Sequence, residues 1–196
     1  MTLKQKLGKL LFKNRSYTPI PFLLVMIIFQ KATLTSIIIG FGLVIIGELF
    51  RYWGVIYAGS ITRTTSGVGA NQLVVSGAFA HLRNPLYLGN ILIYVGIGVM
   101  SMALAPYLQI IAFLFFIFQY SMIIAEEEEF LTENFGEKYA EYKSRVPKLF
   151  PRFSAYKNED SDKQVYNLKA GLKSERRTLQ AIAITSLIII LTYIFR

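Results

Sequence analysis

The chain has 196 residues and a formal net charge of +9, yet only 17% of it is charged and 54% is hydrophobic. It has no cysteine and a single histidine, His81, which excludes disulfides, thiolate nucleophiles, cysteine metal sites and a histidine-rich metal centre; no metal site is expected. The apolar residues arrive in blocks, the mean hydropathy is +0.45, and the basic excess sits beside those blocks, which favours a polytopic membrane protein anchored to anionic headgroups over a nucleic-acid binder.

Residues 1–17 form a basic N-terminal segment. Leu3, Leu7, Leu10 and Leu11 alternate with Lys4, Lys6, Lys9 and Lys13 at a spacing that suits an amphipathic helix on the membrane surface; a basic flank that only sets topology is the plainer reading. No long apolar core and small-residue cleavage site follow, so a removable signal peptide is not expected. Residues 18–50 hold two apolar blocks. The first, Pro19 to Phe29, is short against the about 20 residues that a span needs. The second, Ala32 to Phe50, is long enough, and Gly40, Gly42 and Gly47 would allow close helix approach. Glu48 near its end is either interfacial or turned into the bundle.

Residues 51–151 read as the core unit. It opens with Arg51 and a polar loop carrying Thr62, Arg63, Thr64, Thr65, Ser66, Gly67, Gly69 and Asn71. A third block runs from Leu86 to Leu104, with Pro85 suited to its first turn and Asn84 a candidate N-cap. Ala105-Pro106 turns the chain into a fourth block, Tyr107 to Ala125, so Arg83 and Glu126 should emerge on the same side. An amphipathic helix over 126–150 follows, with Phe130, Leu131, Phe135, Tyr139 and Tyr142 at three-to-four spacing, Gly136 interrupting it and Pro147 and Pro151 ending it. Residues 152–177 read as a polar linker and 178–196 as a last, marginal span. The expected fold is all-α: a polytopic transmembrane bundle of about five spans, with cytosolic helical segments forming a pocket. Placing the basic loops inside puts the N-terminus and the 126–177 segment in the cytoplasm and Arg196 outside.

Two clusters carry chemistry. Arg83-Asn84-Pro85-Leu86-Tyr87 stands at the mouth of the third block, and Glu126-Glu127-Glu128-Glu129 follows the fourth. Taken singly, the acids suit a hydrated helix end, Arg83 a lipid-phosphate anchor and Asn84-Pro85 a helix start. Together they place a cation, an amide, a phenol and carboxylates across one hairpin. Four adjacent carboxylates face all sides of a helix, so at least one must turn toward the hairpin partner, with Arg83 as the balancing charge.

Gly77-Ala78-Phe79-Ala80-His81-Leu82-Arg83-Asn84-Pro85-Leu86-Tyr87-Leu88-Gly89 resembles the first signature of the isoprenylcysteine carboxyl methyltransferase and phospholipid methyltransferase superfamily. Glu127-Glu128-Glu129-Phe130 through Phe135-Gly136 to Tyr142, closed by Arg145-Val146-Pro147, resembles its second. The resemblance covers about residues 72–151. Asn84 departs from it, where many relatives carry histidine, as do Ala78 and Ala80. Asparagine still donates and accepts hydrogen bonds but does not titrate. His81 lies one position off the usual histidine and reads as interfacial or structural.

The resemblance implies an integral membrane enzyme that uses S-adenosylmethionine. Arg83, Asn84, Pro85, Tyr87, Glu127 and Glu128 would be the cofactor-binding residues, with Arg83 and Glu128 closest to the catalysis. The implied acceptor is a membrane lipid or lipidated small molecule, whose chain would lie against Leu86, Leu88, Ile91, Phe116, Tyr120 and Ile123. A prenylated-cysteine carboxylate and a phospholipid amine both remain open. So do a sterol-type NADPH-dependent reductase and a non-catalytic lipid-binding protein. The plasma membrane, with the site facing the cytoplasm, is the expected location.

Overall fold

The computed structural model of the protein describes residues 3–59, 72–161 and 163–195. The polar loop from Thr62 to Asn71, with Arg63, and the terminal Arg196 lie outside the described residues. Among the described residues there are six α-helices and no strand: α1 (Leu3–Asn14), α2 (Pro19–Ile28), α3 (Leu34–Ala58), α4 (Pro85–Ser101), α5 (Tyr107–Arg145) and α6 (Leu168–Ile194), with a short 3-10 helix at Gly77–Ala80. Three of them, α3, α5 and α6, are long and apolar enough to cross a membrane. The α2 and α4 helices are apolar but shorter, at 10 and 17 residues. At about 1.5 Å per residue α2 covers only about 15 Å, half of a hydrocarbon core of about 30 Å.

Local chemistry sets the helix starts. Thr33 opens α3 with a capping box: its hydroxyl accepts from the Ser36 backbone N–H at 3.1 Å, and the Ser36 hydroxyl accepts from the Thr33 N–H at 2.9 Å. The Asn167 side chain caps α6 by accepting from the Ala170 N–H at 2.9 Å. Pro85 occupies the first turn of α4, as its missing N–H favours. Asn84 stands at the N-cap position of α4 but makes no capping bond; its amide instead donates to the Lys148 carbonyl at 3.0 Å. The expectation of a capping side chain there is corrected.

The centre of the bundle is α3 against α4. A methyl group on Gly40 would lie 2.4 Å from the Gly96 carbonyl oxygen, and one on Gly47 would lie 2.7 Å from the Gly89 carbonyl oxygen. Backbone thus meets backbone at two levels. Gly42 faces open space and takes no part. The α4–α5 hairpin, α2 and α6 close around a core of Met26, Val44, Ile91, Ile97, Phe116, Tyr120, Ile123 and Ile189. Ile38, Ile39 and Leu49 on α3, Ile110 and Leu114 on α5, and Ile184 and Leu187 on α6 remain exposed, an apolar outer face suited to hydrocarbon.

The α5 helix has 39 residues, about 58 Å of helix, so only part of it fits a bilayer. Its apolar stretch ends at Ala125, and the glutamates follow outside. Gly136 breaks it with φ +50°, a backbone state that suits a residue without Cβ. Beyond the break, Tyr139, Tyr142 and Val146 pack with Val75, Ala80 and Tyr156 in a second small core.

The stretch read as a polar linker straps down the chain before α4. Gln164 accepts from the Val75 and Ser76 N–H groups at 3.0 and 3.1 Å and donates to the Leu73 carbonyl at 2.7 Å. The Tyr156 N–H donates to the Ala80 carbonyl at 2.9 Å. The helix α6 begins at Leu168, ten residues before the last apolar block.

Candidate active site

A cavity of about 700 Å³ opens between α1, α2, α3, α4, α5 and α6, within the range of about 300–1,000 Å³ typical of ligand sites. All six residues singled out in the two signatures, Arg83, Asn84, Pro85, Tyr87, Glu127 and Glu128, line it.

The four glutamates part company because successive helical residues point about 100° apart. Glu126 turns to α1 and pairs with Lys9 at 3.5 Å. Glu127 accepts the Tyr87 hydroxyl at 2.6 Å. Glu128 accepts from Arg83 Nη2 and Nε at 2.8 and 3.1 Å, and its other oxygen pairs with Lys143 at 3.1 Å. Glu129 is exposed. Arg83 therefore balances one glutamate of the run: it bonds Glu128 and not Glu127. Its Nη1 also donates to the Lys143 and Val146 carbonyls, the first at 2.8 Å, and its backbone N–H donates to the Pro147 carbonyl at 2.9 Å. The guanidinium is a clasp fastening the start of α4 to both ends of the post-membrane part of α5.

The two central carboxylates differ in ionisation for physical reasons. Burial pushes Glu127 up to about 7, a rise that Glu128 adds to and that the Tyr87 hydrogen bond and the Arg15 charge only partly offset. Burial also acts on Glu128, but the hydrogen bonds and charges of Arg83 and Lys143 outweigh it and hold that carboxyl below the usual range.

A second polar tier lies further along α4, about 10 Å from Arg83 by helical rise. Arg51 of α3 grips Glu175 of α6 with Nη2 at 2.7 and 2.9 Å and Nε at 3.3 Å, donates to Asn90 of α4, and reaches Thr178 at 3.3 Å. Arg51, Asn90, Glu175 and Thr178 all line the cavity. Glu48 resolves toward the bundle: it sits 3.7 Å from Arg51, with both oxygens buried and no hydrogen-bond partner among the described residues. None of these contacts was legible from spacing. Arg51 read as a positive flank and Glu175 as part of a linker. The available signal was that Glu48 and Arg51 stand next to an apolar block, where a charge is costly unless paired.

Beyond this tier the cavity turns apolar, lined by Leu23, Ile93, Ile97, Ala181 and Ile182. That wall corrects the expected acyl groove. Leu86 and Tyr120 line the cavity, but Ile91, Phe116 and Ile123 are buried in helix packing, because residues that face the hairpin partner cannot also face a cavity on another side. Arg15, in the turn after α1, lines the mouth with its guanidinium 3.9 Å over the Phe12 ring, a place that the basic N-terminal segment 1–17 does not reveal by its composition. His81 stands off the cavity, its Nδ1 2.8 Å from the Arg152 carbonyl oxygen and its ring 5.2 Å from Trp53, a structural role. Among the described residues no group of ligating side chains could hold a metal ion.

Residues 35–138 match the family described as phospholipid methyltransferase. The chain is 36% identical over 128 residues to the cobalt-zinc-cadmium resistance protein CzcN of Cupriavidus metallidurans, covering 65% of this chain and 53% of that protein. It is 32% identical over 132 residues to the nickel-cobalt-cadmium resistance protein NccN of Alcaligenes xylosoxydans xylosoxydans, covering 67% and 56%. It is 32% identical over 127 residues to a protein-S-isoprenylcysteine O-methyltransferase of Xenopus laevis, covering 62% and 43%. The chain spans about half the length of these relatives, and no solved structure matches it. The match covers more than half of the chain, which belongs to the phospholipid methyltransferase family.

Proposed function

We propose that this member of the phospholipid methyltransferase family transfers a methyl group from S-adenosylmethionine to an acceptor held in the membrane. The observation that carries the reading is one cavity with a charged mouth and an apolar end: Arg83, Tyr87, Glu127 and Glu128 at one end, Leu23, Ile93, Ile97 and Ile182 at the other. A polar donor and a lipid chain ask for opposite surroundings, and this cavity offers both.

The residues at the mouth fit the donor. Glu127, backed by the Tyr87 hydroxyl, offers a carboxylate to its ammonium, sulfonium or ribose hydroxyls, and the Tyr87 and Tyr120 rings, 4.8 Å apart, offer an aromatic wall. Arg83 and Glu128 hold that wall in place by clasping α4 to α5. The donor supplies an electrophilic methyl carbon; the protein supplies alignment and exclusion of water. A carboxylate acceptor such as a prenylated cysteine is already nucleophilic and needs no base. A lipid amine is the second acceptor, favoured by Glu127: a carboxyl titrating near 7 can take the amine's proton. The mouth faces the cytoplasm in this reading, so the donor arrives from water and the acceptor from the bilayer.

The test is incubation of the protein in vesicles with methyl-labelled S-adenosylmethionine and total membrane lipids, followed by mass spectrometry. Label in a lipid carboxyl or amine group is the expected result and names the acceptor. Absence of label, together with binding of NADPH and not of S-adenosylmethionine, overturns the reading.

A further inference from the structure

The plane at which this chain leaves the bilayer is marked twice, by Ala125 at the end of the apolar part of α5 and by Pro85 at the start of α4. Two segments far apart in sequence are fastened at that level. The α1 helix packs on α5 where Gly8 approaches the Met122 carbonyl and Lys9 meets Glu126. The 147–153 loop is hydrogen-bonded to the residues just before α4: Pro147 to Arg83 at 2.9 Å and Arg152 to His81 at 3.0 Å. Leu149 of that loop packs against the same hydrophobic core that takes in Phe12 of α1 and has Leu11 at its side.

Their outward faces share an unusual composition. Phe150 and Phe153 are 84% and 105% exposed, and Leu10 and Tyr17 are 57% and 67% exposed. Lys6, Lys9 and Lys13 are exposed around them, with Lys148 and Arg152 partly so. Two fully exposed phenyl rings in a short polar loop are out of place in water. Cations interleaved with large apolar groups match the boundary between acyl chains and anionic headgroups. Of the acids on α5, Glu126 meets this face through Lys9 at 3.5 Å.

We propose that α1 and the 148–153 loop form a single collar that sits in the headgroup layer and takes anionic phospholipid, with Phe150 and Phe153 inserted among the upper acyl carbons and Lys6, Lys9 and Lys13 on the phosphates. The collar does not depend on the methyl-transfer reading. It does bear on the cavity, because Phe12 and Arg15 of the same α1 unit line the cavity; a lipid that holds α1 against α5 also holds that wall.

The test uses the full chain carrying Trp53→Phe and Phe153→Trp, which leaves one indole on the collar. The protein is reconstituted in phosphatidylcholine vesicles with a one-third share of phosphatidylglycerol. The bromine quencher is placed near the head of the acyl chains, on the phosphatidylglycerol in one preparation and at the same molar share of phosphatidylcholine in the other. Bromine on the anionic lipid should quench the indole with an apparent local enrichment of about fivefold or more, the factor one lysine near an anionic surface supplies. Adding Lys6→Gln, Lys9→Gln and Lys13→Gln, or raising salt, should bring the two preparations together. Quenching by aqueous acrylamide and by neither brominated lipid would show that the face looks into water and would overturn the proposal. Equal quenching by both lipids, or an unchanged preference in the lysine variant, would overturn the anionic partner. None of these outcomes depends on whether methyl groups are transferred.

Discussion

Glu127 takes a hydroxyl while its neighbour Glu128 takes two cations, and the pH response of each follows from that difference. Glu127 titrates near 7 in the fold against 4.5 ordinarily. The folded state therefore binds the extra proton between those values, and this group's contribution lowers stability as pH rises from about 4.5 to about 7. Glu128 has the opposite sign. Its depressed carboxyl adds stability above its ordinary range, and that stability is lost as pH falls through the folded value. Glu127→Gln should accordingly gain in melting temperature relative to the parent as pH is raised from 4.5 to 7, whereas Glu128→Gln should lose most at neutral pH. Thermal melts of the three proteins in detergent across that range check this, and parallel curves for parent and Glu127→Gln would remove the buried carboxyl from the account. If Glu127 also faces a cationic donor, affinity for S-adenosylmethionine should rise through the same window and the glutamine variant should flatten it, as calorimetric titration would read.

The pairing of α3 with α4 is decided by two glycine contacts rather than by the whole small-residue stripe. A side chain at Gly96 would press on the Gly40 carbonyl oxygen at 2.7 Å and on the Val44 backbone nitrogen at 2.9 Å, and backbone cannot rotate away as a side chain can. Gly96→Val should cost about 1–3 kcal/mol, read as a lowered melting temperature. Gly42→Ala meets nothing within 4 Å and should be neutral or stabilising by up to about 1 kcal/mol. Equal effects at the two sites would contradict the packing. The docking of α6 is of another kind, since one ion pair, Arg51 with Glu175, provides its main polar contact with α3. Glu175→Leu removes the tightest partner of the Arg51 guanidinium, leaving it Asn90 and the more distant Glu48, and should cost up to roughly 3–5 kcal/mol, while Glu48→Gln, Arg51→Met and Glu175→Leu together should recover most of that loss, as apolar replacements of buried pairs do. A triple variant as unstable as the single one would contradict this account of the tier.

At the scale of the molecule, the hairpin puts its 102–106 turn at the far end from Arg83 and the Glu127–Glu128 pair, so one face of the membrane sees the turn and the other sees the cavity mouth. A chain without native cysteine allows a clean test of which face is which. Leu104→Cys should react with an impermeant maleimide applied from outside intact cells, and Glu159→Cys only after permeabilisation; the reverse pattern would invert the orientation derived from the basic flanks. Much of the bundle is legible in the sequence. Apolar blocks reveal membrane helices because the bilayer demands long uninterrupted runs. The Pro85 helix start, the Gly136 break and the stop at Pro147 are likewise local chemistry, and the hairpin logic brought Arg83 to the side of the glutamates. Which glutamate each partner takes was not legible, because neighbours in a helix diverge by about 100° and only the facing helix chooses between them. Nor was the Arg51–Asn90–Glu175 tier, whose members lie on three helices far apart in the chain, nor the strap of Gln164 across residues 73–76. The sequence by itself determined where the chain enters apolar surroundings and which residue types stand at the boundary. The tertiary structure alone decided which charges meet and which apolar side chains face a cavity rather than one another, because pairing and burial depend on distances between segments that local pattern does not contain.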